Sequence, residues 1–356
     1  MLLDAKYSAI GIDLGDTLKL VQFRMKRNPP RPKLLAATSL DLTIPNDGQP
    51  QTERAAFVKE LKKALSAGKF GPRRAVIALP SADVDLRPLT LPIDEHDVAK
   101  KVRWEAESYL ECAPEDAIID HVVLGEAKTA GERRLEVLAA SARKQKVLNT
   151  LELFGRAGLV ADAVDIVPLA LCRALQAAQP TQDGAVAAVD IGARATTAVI
   201  MDDNKLRMTR PIDGGGDALT QDIQAALEIS REEAEILKCQ HGAGIAGGAD
   251  ADPDEPGKIA HIIHDILRGK LDHLAAELEK LFRYFSAQNQ GRSVERVFLA
   301  GGGAALEHLD KLLAARLHTD VLVAAPLSQI TGAEVQLKRG SEGAFAVAAG
   351  LALRGT

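Results

Sequence analysis

Two segments of the chain, 177 positions apart, carry nearly the same pattern. Ile10–Val21 and Ala188–Ile200 each consist of an apolar run that ends in Asp-x-Gly, a short polar turn and a second apolar run. Apolar runs on both sides of a glycine-containing turn are typical of a β-hairpin. Because the offset is almost half of the 356 residues, the pattern predicts an α/β fold that is duplicated into two related lobes.

The elements around the two hairpins repeat as well. Strands predicted at 7–14, 17–24 and 33–43 correspond to strands predicted at 185–191, 195–202 and 205–212. Each lobe ends in a helix of small residues, Val167–Leu175 in the first and Phe345–Leu353 in the second. Small side chains in both helices allow close helix–helix approach.

The segment between the repeats has its own order of strands and helices. Strands are expected at Val84–Leu91, Ile118–Glu126 and Leu135–Ala142, with a helix capped by Asp94 and another over Lys144–Ala157. The chain is therefore predicted to have five parts. Residues 1–79 form a first-lobe part with the first hairpin, 80–158 an inserted βαββα subdomain, and 159–180 a first-lobe strand with its connecting helix. Residues 181–340 form the second lobe, and 341–356 a closing helix that packs back on the first lobe.

Composition narrows the class of protein. A net charge of −5 and a pI near 6.0 argue against nucleic-acid binding, which usually needs a basic surface. The three cysteines contain no CxxC pair, which favours a reducing cytoplasm over a disulfide framework. Since no run approaches about 18 apolar residues, we expect contact with a membrane only through a partner.

The repeated hairpins suit phosphate chemistry. Backbone N–H groups at a glycine turn bind phosphate oxygens without a cationic side chain. Asp13 and Asp190 end the first strand of each hairpin, and carboxylates facing phosphates require a cation between the like charges. Mg²⁺ prefers one or two carboxylates together with water and phosphate oxygens. The pattern therefore predicts Mg²⁺ held by Asp13 and Asp190 through water.

A third glycine-rich element follows a strand predicted at Val294–Leu299. Gly301, Gly302 and Gly303 precede a helix expected from Ala304 to Leu317. Backbone without Cβ atoms at a helix N-terminus allows a nucleotide to approach.

In their order, these motifs resemble the actin, Hsp70 and FtsA superfamily, and the chain is most similar to the PilM family of cytoplasmic actin-like proteins of type IV pilus assembly. The closer resemblance is carried by Trp104–Leu110, Ala140–Arg143, Gly214–Thr220, Glu233–Lys238 and Leu299–Ala304. It implies a duplicated actin-like, ribonuclease H-like two-lobed fold with an inserted FtsA-like subdomain of the 1C type, and it covers essentially the whole chain.

The resemblance also implies a ligand, ATP with Mg²⁺, and residues that bind it. It implies two phosphate hairpins, a glycine-rich helix start, a Glu-x-x-Lys pair beside the ribose and adenine, and an adenosine loop. The residues expected to form them are Asp13, Gly15, Thr17, Lys19, Asp190, Gly192, Thr196, Thr197, Gly215, Glu235, Lys238, Gly301, Gly302 and Gly303.

The resemblance implies a scaffold that docks the N-terminal cytoplasmic segment of a PilN-like inner-membrane protein, with self-association as a further class of partner. The protein is accordingly expected in the cytoplasm, peripheral at the inner membrane. Trp104 and Tyr109 lie in the neighbourhood that the resemblance assigns to peptide binding, although packing within the inserted subdomain explains them equally well.

Three departures from the family pattern weaken a hydrolytic role. Asp16 puts an acid where relatives often have Ser or Thr, and Lys19 follows Asp13 by six residues, one fewer than is common. Val167 occupies the position where hydrolytic members carry a group that orients water, and Asp165 is two residues away. We therefore expect no identifiable catalytic residue and at most slow ATP hydrolysis.

Three alternatives remain open from the residues. A phosphotransferase or ATPase can be built on the same fold, and a purely structural secretion-complex subunit would have a degenerate nucleotide site. His261, His264, Asp265 and His273 could bind a metal at helical spacing, but solvated histidines explain them better.

Overall fold

The structure is a computed structural model, and it describes residues 7–15, 17–25, 32–42, 44–45, 49–93, 96–129, 132–179, 184–243, 257–331 and 341–356. The strands in these ranges are β1 Ile10–Leu14, β2 Leu18–Met25, β3 Pro32–Leu40, β4 Arg74–Ala78, β5 Asp85–Pro92, β6 Ala117–Thr129, β7 Glu132–Arg143, β8 Val160–Asp165, β9 Ala185–Ile191, β10 Ala195–Asp202, β11 Lys205–Asp213, β12 Val294–Ala300 and β13 Asp320–Val323. The helices are α1 Gln51–Ala67, α2 Val98–Ala106, α3 Lys144–Arg156, α4 Val167–Ala178, α5 Gly216–Leu227, α6 Arg231–His241, α7 Gly257–Gln288, α8 Leu309–Leu317, α9 Pro326–Thr331 and α10 Ala346–Ala352.

The chain divides into two compact units. The first takes its residues from Met1–Ala174, Lys205–Arg207 and Val347–Thr356, and the second from Leu175–Asn204 and Met208–Ala346. Residues at the end of the chain therefore belong to the first unit.

Each unit contains a five-stranded sheet of the same topology. The strand orders are β3-β2-β1-β4-β8 and β11-β10-β9-β12-β13. In both, the first strand of the hairpin pairs antiparallel with the second and parallel with a later strand: β1 with β2 and β4, and β9 with β10 and β12. The predicted α/β duplication is confirmed at the level of strand order and direction.

Apolar periodicity places the helices on these sheets. On α1, Phe57, Leu61 and Leu65 recur every four residues and lie in the core of the first unit. On α7, Ile263, Leu267, Leu271 and Ala275 do the same in the second unit. Each sheet thus packs against a helix whose buried face follows from the spacing of its apolar residues.

The segment between β4 and β8 supplies a three-stranded sheet of order β5-β7-β6. Its own small core contains Leu91, Val102, Val137 and Ala139, so α2 covers one face of it. Leu153 and Phe154 of α3 instead lie in the core of the first unit's five-stranded sheet, where the Phe154 ring meets the Phe57 ring edge-on, 6.0 Å between centroids. The predicted division at 79 and 158 stays a prediction.

Several boundaries differ from expectation. Asp94 lies outside the described residues, and α2 is capped by Asp97, whose carboxylate accepts the backbone N–H of Lys100 at 3.0 Å. The helix expected from Ala304 begins only at Leu309, because a 3₁₀ turn over Gly302–Ala305 comes first and His308 adopts a φ of 65°. Neither β13 nor α9, both very short, is predicted from the sequence.

Candidate functional site

The first Asp-x-Gly hairpin joins β1 to β2 by a three-residue turn. Asp13 lies directly opposite Lys19 in the strand register, and the Lys19 ammonium is 4.0 Å from Asp13 Oδ2. The same ammonium donates to the Thr17 carbonyl at 3.4 Å. Lys19 therefore lies over the turn beside Gly15 and neutralises part of the Asp13 charge; Asp16 lies outside the described residues.

Burial raises the pKa of the Asp13 carboxyl, and the nearby Lys19 ammonium only partly offsets the effect. Ionisation of this carboxyl therefore lowers the stability of the unliganded protein. A cation beside this oxygen would favour the ionised form.

The second hairpin has a longer turn. Asp190 lies opposite Thr197, and Ile191 opposite Thr196, which leaves four residues in the turn instead of three. The Gly192 N–H donates across it to the Ala195 carbonyl at 3.0 Å. The register confirms that the first hairpin is one residue shorter, as its Asp–Lys spacing indicates.

The start of α5 is fastened to this second turn. The N–H groups of Gly216 and Asp217 donate to the carbonyls of Gly192 and Ala193 at 2.9 and 2.8 Å. These N–H groups belong to the first turn of a helix and have no partner within it. They serve to fix the hairpin and leave no free donors at those two positions.

Thr196 extends the same connection. Its buried hydroxyl donates to the Gly214 carbonyl at 2.9 Å, and Gly215 leaves no room for a Cβ beside the Gly192 carbonyl. Thr197, also buried, is the strand partner of Asp190. The structure therefore brings together Asp190, Gly192, Thr196, Thr197 and Gly215. The Thr196 hydroxyl proton, however, is already donated to a protein carbonyl.

The Glu-x-x-Lys pair forms a compact polar cluster on α6. The buried Lys238 ammonium lies 2.6 Å from Glu235 Oε2, 2.8 Å from the Thr220 hydroxyl and 3.1 Å from the Gly216 carbonyl. An ammonium has three N–H donors, and these three acceptors use them all. Lys238 therefore anchors α6 to the first turn of α5.

Glu235 is the exposed member of this cluster, since 48% of its side chain is accessible. Partial burial alone would raise the pKa of its carboxyl, but hydrogen bonds from Lys238 and Thr220 outweigh that effect and lower the pKa. Thr220 was not predicted as a site residue. Its position four residues after Gly216 places both on one face of the helix, and this spacing was the sequence signal that could have indicated it.

The three consecutive glycines after β12 differ in what surrounds them. Gly301 has a φ of 81°, and an added Cβ there would lie 2.7 Å from Asp190 Oδ1. A Cβ at Gly303 would overlap the Ile191 side chain, whereas one at Gly302 would meet nothing within 4 Å. Gly301 and Gly303 thus press the loop against the second hairpin, and Gly302 faces open space.

Asp165 does not act as a free base. Its side chain is 2% exposed, and its Oδ2 contacts the guanidinium groups of Arg173 and Arg354. Its Oδ1 accepts the N–H of Ile166 at 2.8 Å. Both carboxylate oxygens are engaged, which agrees with the absence of an expected water-orienting group at Val167.

Tyr109 lines a groove of about 640 Å³ in the first unit, between β5, the segment after α2 and the start of α3. Its hydroxyl is buried and has no hydrogen-bond partner among the described residues. Arg87 lies 5.3 Å from the ring centroid. Trp104 is 61% exposed, with the Lys101 ammonium 3.7 Å from its ring, and it does not line the groove.

Within the described ranges, no group of three or more His, Cys, Asp or Glu side chains could hold a metal ion. His264 Nδ1 instead lies 2.5 Å from the Ala243 carbonyl. A site of one or two carboxylates with water and phosphate oxygens, as Mg²⁺ prefers, does not need such a group. No helix in the described part of the chain is both long and apolar enough to span a bilayer.

Comparison with known proteins gives consistent likenesses. A family model described as type IV pilus assembly protein PilM matches residues 11–356. A solved PilM-PilN type IV pilus biogenesis complex is 28% identical, with a TM-score of 0.77 over 98% of each chain. MreB 5 of Spiroplasma citri, bound to AMPPNP, is 12% identical with a TM-score of 0.51, covering 92% of this chain and 94% of that one, and it shows the fold alone.

Curated relatives include the cell division protein FtsA of Enterococcus hirae, 29% identical over 185 residues. That match covers 49% of this chain and 41% of the relative, so the matched part spans less than half of the relative's length.

Proposed function

The chain belongs to the family of the type IV pilus assembly protein PilM, and from this membership we propose that it is an actin-like, ATP-binding scaffold of pilus assembly. The observation that carries the nucleotide part of the proposal is the loop Gly301–Gly303. Gly301 and Gly303 are packed against the second hairpin, while the open space at Gly302 allows a ligand to approach the backbone.

Within this proposal the ligand is ATP with Mg²⁺. The hairpin residues Asp13, Gly15, Thr17, Lys19, Asp190 and Thr197 serve the phosphates, and the magnesium ion is bound through water by Asp13 and Asp190. Gly192 shapes the second turn, since its N–H and its carbonyl are both hydrogen-bonded within the protein. Glu235, with an exposed and ionised carboxylate, is available to a ribose hydroxyl. Lys238, Thr196 and Gly215 hold the loops in place. The side-chain donors of Lys238 and Thr196 are engaged in internal hydrogen bonds, and Gly215 packs too closely against the second turn to admit a Cβ.

The bound nucleotide acts as a structural ligand with slow hydrolysis at most. Asp165 is occupied by two guanidinium groups, and Val167 has no group that can orient water. Binding energy that is not directed to the transition state does not accelerate the reaction.

Substitution of Gly302 tests the nucleotide proposal. Since a side chain at Gly302 meets no protein atom, Gly302→Val should leave the melting temperature nearly unchanged but block the ligand and weaken ATP binding by about tenfold or more. Equilibrium dialysis with Mg²⁺-ATP measures the affinity, and Gly155→Ala, also in open space but remote on α3, is the matched control. Failure of the wild type to retain ATP would instead favour a purely structural subunit.

The partner in this proposal is the N-terminal cytoplasmic segment of a PilN-like inner-membrane protein, which holds the scaffold at the inner membrane. The groove at Tyr109 is the proposed docking site. Asp83, Asp85 and Arg87 place both signs of charge along it. Among the residues that the structure describes, the buried Tyr109 hydroxyl has no hydrogen-bond partner, and a peptide carbonyl would accept its proton.

Tyr109→Phe separates partner binding from folding. Removing an unsatisfied buried hydroxyl should preserve or raise the melting temperature, yet weaken binding of a synthetic PilN-like N-terminal peptide by about fivefold. Isothermal titration with Trp104→Ala as a control distinguishes the two candidate surfaces. Loss of binding in Trp104→Ala with normal binding in Tyr109→Phe would place the partner on the exposed face of α2 instead.

A further inference from the structure

A single carboxylate joins two short elements of the second unit. Ser328, on α9, donates its backbone N–H to Glu342 Oε2 at 2.9 Å and its hydroxyl to Glu342 Oε1 at 2.5 Å. Hydrogen bonds to an ionised acceptor are stronger than neutral ones, and here both oxygens are used by one residue. We refer to Ser328 and Glu342 as the clasp.

The clasp is one residue away from the glycine loop. Glu342 begins a 3₁₀ turn over Glu342–Phe345, and the carbonyl of the next residue, Gly343, accepts the Gly301 N–H at 2.9 Å. Gly343 is buried, and an added Cβ there would lie 3.3 Å from the Ala324 carbonyl oxygen. The first residue of the loop is therefore held on one side by Gly343 and lies against Asp190 on the other.

We infer that Glu342 is a positioning residue for nucleotide binding, an inference that rests on the proposed function. By fixing the turn that carries Gly343, it keeps Gly301 at its left-handed φ and holds Gly302 in the orientation that a ligand meets. A loop that is ordered before the ligand arrives does not pay its ordering entropy on binding. The clasp acts on the nucleotide affinity without touching the nucleotide.

Three substitutions distinguish an effect of the clasp on nucleotide binding from a general loss of stability. Glu342→Met removes both acceptors at similar length, and Ser328→Ala removes one donor; we expect Kd for Mg²⁺-ATP to rise about tenfold and severalfold, respectively. Glu342→Gln keeps an amide that can still pair with Ser328 and should restore most of the affinity. The double variant Glu342→Met with Ser328→Ala should be no weaker than Glu342→Met alone, because the two residues act as a unit.

The readouts are ATP affinity by equilibrium dialysis, amide hydrogen exchange at Gly301 without ligand, and affinity for the PilN-like peptide. The inference requires faster exchange at Gly301 and weaker ATP binding with unchanged peptide binding; Glu279→Gln, exposed on α7, is the control. Unchanged ATP affinity in both clasp variants overturns the inference alone, and so does an equal loss of ATP and peptide affinity. Absence of ATP binding in the wild type overturns the proposed function as well.

Discussion

The predicted site residues divide into those whose side chains stay accessible and those whose polar groups hold neighbouring elements in place. Glu235 and Lys238 enter as a pair from the Glu-x-x-Lys resemblance, but the geometry separates them, because all three Lys238 donors are used inside the protein. The spacing of Thr220 from Gly216 indicates only a shared face of α5, and its contact with Lys238 depends on the packing of α5 against α6, which the sequence did not predict. A residue type at the right spacing predicts proximity, and hydrogen-bond partners determine the role.

Asp13 carries the strongest consequence for pH. Its pKa is raised above the ordinary 3.8 by burial, so the folded state favours the neutral carboxyl. The stabilisation by this proton is complete below the unfolded pKa and is lost as pH rises through the folded pKa. Asp13→Asn should therefore melt higher than the unliganded wild type at neutral pH, by about 2–4 °C, and the difference should shrink as pH falls towards 4.

The measurement is the melting temperature of both proteins between about pH 4 and 8, with and without Mg²⁺-ATP. We expect the added ligand to stabilise the wild type and not Asp13→Asn. A difference that stays constant over the pH range, as an uncharged contact would give, contradicts the role assigned to the carboxylate.

Among the elements, α4 and α10 show what close packing requires. Both were predicted as helices of small residues, and the structure shows that they are in contact within the first unit, where Arg173 Nε donates to the Gly350 carbonyl at 2.9 Å. A Cβ at Gly350 would overlap the Ala170 carbonyl, and one at Gly11 would overlap the Ala348 carbonyl. The helix α10 is therefore in backbone contact with both α4 and β1.

Gly350→Ala should destabilise the protein by about 1–3 kcal/mol, because the backbones must separate to admit one methyl group. Urea unfolding measures the change. Gly155→Ala provides the opposite case: its added methyl meets nothing within 4 Å inside α3, so that variant should be neutral or more stable by about 0.5–1 kcal/mol. Equal effects of the two substitutions would mean that the close approach of α4 and α10 is not required.

Long elements with a clear apolar period were predictable, and short ones were not. The helix α7 was expected almost over its full length, since its buried residues recur at helical spacing over 32 residues. β13 has four residues and α9 six, which is too few for a period to stand out. The late start of α8 depends on the left-handed backbone of His308, which nothing in the sequence announces.

For the whole molecule, the duplication was readable because its two copies retain the same residue types at one offset. The two sheets repeat the same strand order, and the aspartates at 13 and 190 lie at corresponding positions of β1 and β9. The sequence alone did not show how the surroundings of these two aspartates differ. Asp13 lies opposite Lys19 and 4.0 Å from its ammonium, whereas Asp190 lies opposite Thr197.

The backbone contact between Ala170 and Gly350 also bears on the order of events during synthesis. The first unit includes residues 347–356, whereas every residue of the second unit precedes position 347. As the chain leaves the ribosome, the unit that begins first is thus completed last, and the β1 face that receives α10 stays uncovered until the second unit has been made.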